Sequence, residues 1–123
     1  MPMTTKPAFS VLLMPLFFAV GCNESEVMSL PGDPAKGKMA IAAYGCGSCH
    51  AIPGILGANG RTGPPLERIA ERTYLAGVLP NTPEQMMRWI RIPEAIDPLT
   101  AMPNMDVSVN DARDITAYLY TLK

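Results

Sequence analysis

The residues best suited to chemistry stand together in one string, Cys46-Gly47-Ser48-Cys49-His50. Two thiols at this spacing with a histidine directly after them form the c-type haem attachment motif. The thiols can make thioethers to the two vinyl groups of one haem, and the adjacent imidazole then reaches the iron from the proximal side. His50 is the only histidine in the chain. Its other ring nitrogen is expected to donate to a carbonyl, which fixes the tautomer and raises the basicity of the ligating nitrogen. Rival chemistries fit the string less well. A thioredoxin-like pair belongs beside a βαβ pattern, and here the motif follows a helical segment and a glycine. A structural zinc site wants four ligands, and only Cys46, Cys49 and His50 cluster. A disulfide staple would leave His50 a bystander.

A second iron ligand must come from another residue type, and methionine is a common partner of histidine in haem electron carriers. Of the nine methionines, Met1, Met3 and Met14 precede the domain and Met28 falls in a linker. Met39 lies too near the attachment point. Met86 and Met87 sit within a helix, where core packing is their ordinary role. Met102 and Met105 remain, both in a proline-rich loop. Met102, between Ala101 and Pro103, is the first choice and Met105 the second.

These residues need elements to position them, and the pattern is helical throughout. A first helix is expected from Asp33 or Pro34 to Tyr44, ended by Gly45. Gly37 inside it costs about 1 kcal/mol relative to alanine, unless another backbone approaches there. Residues 51–65 are rich in glycine and proline and read as loop. A short second helix or an irregular stretch follows over Leu66–Ala76. Thr82-Pro83-Glu84-Gln85 reads as a cap, a proline at the first helical position and a capping-box glutamine. The helix it starts stops before Pro93, and 93–105 is expected to be extended or turning. A final helix starts at Ser108 or Asn110, with Ile115, Leu119 and Leu122 on its apolar face. No period-two run, internal repeat or nucleotide-binding glycine loop is present. The expected fold is all-α, three to four helices with long loops, and needs a large central object to pack against.

The N-terminal part reads as a processing segment. Lys6 is followed by an uncharged apolar run from Val11 to Val20, short of the about 20 residues of a membrane span. Ala19-Val20-Gly21-Cys22 resembles a bacterial lipobox, although leucine is the commoner residue where Ala19 stands. The expected organisation is a signal peptide over 1–21, a lipidated tether over 22–33 anchored to the membrane through Cys22, and a domain over 34–123; ordinary signal cleavage is the alternative. Such a protein lies in the bacterial periplasm or on the outer face of the cytoplasmic membrane. A domain of about 90 residues has a thin core and often needs a cofactor, metal or disulfides, and once Cys22 is lipidated only Cys46 and Cys49 remain. Lys and Arg total 10 against 11 Asp and Glu, with no basic stripe, which excludes nucleic acid as an obvious partner.

On these residues the sequence resembles the class I cytochromes c over essentially all of 34–122. It is most similar to the small cytochrome c domains that occur as separate lipoproteins or fused to subunit II of haem-copper oxidases. The resemblance implies one haem c bound through Cys46 and Cys49, and crossed terminal helices. It implies that the carbonyl of Pro64, in Gly63-Pro64-Pro65-Leu66, accepts the proton of His50. Asp97-Pro98-Leu99-Thr100-Ala101-Met102-Pro103 matches the segment that delivers the methionine ligand, so that His50 and Met102 bind the metal. Trp89 falls at the aromatic position of the haem pocket. Gly37 and Tyr118-Leu119 match the close crossing of the terminal helices. The implied role is not enzymatic in itself and has no small-molecule substrate. It is the relay of single electrons between a quinol-oxidising complex and a terminal oxidase, with a fixed haem-bearing subunit of a larger membrane complex as the alternative.

Overall fold

The computed structural model describes residues 1–3 and 32–123. The apolar run, Cys22 and the tether up to residue 31 lie outside the described residues. Among the described residues no helix is long and apolar enough to cross a membrane.

Among the described residues four helices carry the fold: α1 (Pro34–Ala43), α2 (Pro83–Arg91), the single turn α3 (Pro93–Ile96) and α4 (Val109–Leu119). Helix α1 starts where the Asp33 carboxylate accepts from the backbone N–H groups of Ala35 and Lys36, at 2.9 and 3.3 Å, with Pro34 at the first helical position. It ends at Tyr44, after which Gly45 turns left-handed with φ 72°. The start of α1 is also fastened to α4, because the Asp33 N–H donates to Asp114 Oδ1 at 2.8 Å.

Helices α1 and α4 cross closely, and Gly37 is the reason they can. A Cβ at this position would run into the backbone carbonyl of Asp114. The crossing therefore sits one turn earlier on α4 than the expected contact at Tyr118-Leu119. Tyr118 is engaged elsewhere, its phenol donating to the Pro53 carbonyl at 2.6 Å. Ile41 from α1, Ala112, Ile115 and Leu119 from α4, and Met86 and Ile90 from α2 are buried together. Ile52, Ile69, Leu75 and Val107 from the connecting segments complete this core.

Two connections differ from expectation. Leu66–Ala76 holds only a 3-10 turn at Ile69–Glu71, followed by a two-residue strand, β1 (Tyr74–Leu75), that pairs antiparallel with β2 (Leu79–Pro80). Ala76 and Gly77 both have positive φ, 50° and 73°, the sign pattern of a hairpin turn that suits the twist of paired strands. The proline loop after α2 begins with the helical turn α3 before it becomes irregular. Asn81 locks the hairpin down: its amide donates to the carbonyls of Ile69 (2.9 Å) and Arg72 (2.7 Å), and its Oδ1 accepts from the Tyr120 phenol at 2.6 Å.

The caps of α2 and α4 follow the sequence reading in part. Thr82 Oγ1 accepts from the Gln85 N–H at 3.3 Å, and Ser108 Oγ from the Asp111 N–H at 3.1 Å. The reciprocal half of the box at α2 is not made. Gln85 Oε1 is buried without a partner, and the Thr82 N–H donates to the Pro80 carbonyl instead.

Candidate functional site

Directly after Gly45, Cys46–Ser48 form one 3-10 turn. The N–H groups of Cys49 and His50 both donate to the Cys46 carbonyl, at 3.3 and 3.1 Å. This tight winding turns both thiols and the imidazole towards one cleft, which all three residues line. The following loop folds back under the turn. Gly60 N–H donates to the Gly47 carbonyl at 3.1 Å, and Gly63 N–H to the Cys49 carbonyl at 2.8 Å.

The imidazole is held from two sides. His50 Nδ1 lies 2.6 Å from the Pro64 carbonyl. A carbonyl only accepts, so Nδ1 carries the proton and Nε2 keeps its lone pair. Gly63 lies flat against the same ring, and a Cβ at this position would overlap the imidazole atoms. The sequence placed Gly63 in a loop; its role as the bed of the ring shows only in the folded chain.

The cleft has a volume of about 460 Å³, within the range of about 300–1,000 Å³ typical of small-molecule and cofactor sites. Its walls are the domain core itself. Ile41, Leu75, Met86, Ile90, Ile115 and Leu119 all line it. Trp89 and Met102 also line it, both half-buried, as does the more exposed Met105. Cys46, Cys49, His50, Pro64, Trp89 and Met102 are thus brought to one cavity. Met102 is steadied by its own turn: its N–H donates to Thr100 Oγ1 at 3.1 Å, and the Thr100 N–H to the Asp97 carbonyl at 3.0 Å. From α2, Arg91 Nε donates to the Val107 carbonyl at 3.4 Å, steadying the far end of the methionine loop.

Burial pushes the Cys46 thiol up, opposed by a backbone hydrogen bond and helped by the neighbouring Cys49. That is contrary to a redox-active cysteine pair, whose reactive thiol is held low by helix N-termini or cations. No group of three or more Cys, His, Asp or Glu is gathered to hold a metal ion among the described residues.

The residues present fit a c-type haem on three counts. The donor set consists of two thiols at attachment spacing and an imidazole whose free nitrogen is Nε2. A glycine leaves room for that imidazole to lie flat. The remaining walls are mostly apolar and carry three thioethers, at Met86, Met102 and Met105. Left unfilled, such a cleft leaves apolar core side chains against water, an unfavourable exposure that a bound apolar group removes.

No family model matches the chain. It is similar to cytochrome c oxidase subunit 2 of Alkalihalophilus pseudofirmus, with 34% identity over 89 residues, covering 72% of this chain and 25% of that protein. Cytochrome c oxidase subunit 2 of Bacillus sp. (strain PS3) is 31% identical over 96 residues, covering 74% of this chain and 27% of that protein. The chain thus spans about a quarter of the length of these relatives and is distantly homologous to that part of them.

Proposed function

We propose that this chain is a haem-bearing electron-transfer component of a respiratory oxidase complex, holding one haem c through thioethers at Cys46 and Cys49. The observation that carries the reading is the apolar cleft of about 460 Å³ with both thiols and the free Nε2 of His50 on its wall. The haem, once attached, supplies an iron that takes up and gives back one electron. The chain's own residues do the rest. His50 would hold the iron through Nε2, its ring oriented by Pro64 and Gly63. Met102 brings a thioether from the opposite loop, and a histidine–methionine pair raises the potential relative to a second nitrogen ligand. The apolar walls keep water from the iron, with the same effect. Trp89 contributes packing area; its indole N–H makes no hydrogen bond to the described residues.

Both relatives are oxidase subunits, which favours a resident of the oxidase over a carrier diffusing between a quinol-oxidising complex and the oxidase. The membrane attachment through Cys22 belongs to the same reading, since tethering raises the effective concentration at a partner.

The test is to express the chain in a host that attaches c-type haem and to record ferric and ferrous spectra of wild type, Met102→Ala and Met105→Ala. A low-spin haem whose ferric methionine–sulfur band disappears only in Met102→Ala supports the ligand pair. Persistence of that band in Met102→Ala moves the ligand to Met105. A high-spin wild type that binds carbon monoxide at once overturns the electron-transfer reading. Extraction of native membranes separates the two modes: a constant ratio to the oxidase through a salt wash marks a resident, and release by salt marks a carrier.

A further inference from the structure

A ring of hydrogen bonds joins the end of α1 to the start of α4 without using any proposed ligand. The Tyr44 phenol donates to Asp111 Oδ2 at 2.8 Å, and Ser108 Oγ donates to the same oxygen at 2.8 Å. The ring closes through the Asp111 N–H to Ser108 Oγ at 3.1 Å and the Ser108 N–H to the Tyr44 phenol oxygen at 3.4 Å. Tyr44 and Asp111 are 67 residues apart in sequence.

What the ring joins gives it significance. Tyr44 lines the cleft and stands just before the turn that carries Cys46. Ser108 directly follows Val107, the buried cleft-lining residue at the end of the methionine loop. A capping serine needs only the Asp111 N–H to start α4; the phenol from the far side is additional. We infer that Tyr44 and Asp111 are positioning residues that clamp the methionine loop onto the attachment side of the cleft, and so set how tightly its thioether is held at the iron. The inference rests on the proposed haem reading. Loss of the Tyr44 hydroxyl lets the loop swing out more often while the haem stays covalently attached.

The experiment is an imidazole titration of the ferric holoprotein, followed by loss of the methionine–sulfur band. Imidazole must enter where the thioether leaves, so its apparent affinity scales with the fraction of open molecules. Tyr44→Phe and Asp111→Ala are expected to raise that affinity about tenfold, the effect of losing a hydrogen bond to a charged group at a partly exposed site. Asp111→Asn keeps an acceptor oxygen for both hydroxyls but loses the charge, and is expected to fall between wild type and Asp111→Ala. Tyr120→Phe, which cuts the phenol bond to Asn81 away from the cleft lining, is the matched control and leaves the affinity unchanged even where it lowers global stability. If Tyr44→Phe moves the affinity no more than Tyr120→Phe does, the ring is an ordinary structural tie and the clamp is overturned. A wild type without the sulfur band overturns the haem–methionine reading and the clamp with it, a result distinct from a silent Tyr44→Phe in a protein that shows the band.

Discussion

His50 and Gly63 lie face to face: the ring occupies the space that a side chain at Gly63 would need, while Nδ1 is tied to the next residue's carbonyl at 2.6 Å. The loop after the attachment string thus fixes both the plane of the imidazole and its tautomer. Gly63→Ala is expected to push the ring off this bed. Haem attachment should persist, because the thiols are untouched, but the low-spin spectrum should give way to a mixed-spin one. Absorption spectra of the purified variant check this, and an unchanged low-spin spectrum would show that the ring has room to spare.

The volume of the cleft predicts that the chain depends on its cofactor to fold. A Cys46→Ala/Cys49→Ala double variant cannot form thioethers, and is expected to lose cooperative thermal unfolding or to show it only when free haem is added. Calorimetry or near-ultraviolet circular dichroism of the variant gives the answer.

Gly37→Ala sets two effects against each other. Helix propensity favours alanine by about 1 kcal/mol. Collision with the Asp114 carbonyl forces α1 and α4 apart, at a typical overpacking cost of about 1–3 kcal/mol or more because backbone yields poorly. The net effect is expected to be destabilising, seen as a lower denaturant midpoint; a raised midpoint would mean that the helices can separate at little cost.

Acid stability carries a signed prediction. Hydrogen bonds from Ser108 first and Tyr44 second hold the Asp111 carboxyl below its ordinary value of 3.8. The native state therefore binds fewer protons at this site than the unfolded chain does. Its contribution is complete above about 3.8 and is lost as the pH falls through the lower, folded value. Ser108→Ala should move the Asp111 titration upward and make stability less dependent on pH in that window, measurable by NMR titration and by acid unfolding of the holoprotein.

The attachment string, the caps at Asp33, Thr82 and Ser108 and the helices they start were all legible in the sequence, because each depends on residues within a few positions. Met102 was reached by elimination among the methionines and Trp89 through the family resemblance; both line the cleft. What escaped depended on distant partners. Two-residue strands are too short for alternation, and Ala76 at positive φ gives no turn signal, so the β1–β2 hairpin was invisible. Asn81 reads as a loop residue until Ile69, Arg72 and Tyr120 converge on it. Gln85 has the right type for a capping box, but burial leaves its side-chain oxygen without a partner. Gly37 announced a close approach without naming Asp114 as the neighbour.

The tie between Asp33 and Asp114, 81 residues apart, also orders events during folding. Contacts between such distant segments carry a loop-closure cost and form late, so α1 lacks the surface it packs on until α4 docks. Until then Cys46 and Cys49 stand in an open chain, and under the proposed reading attachment at the two thiols precedes the closing of the cleft.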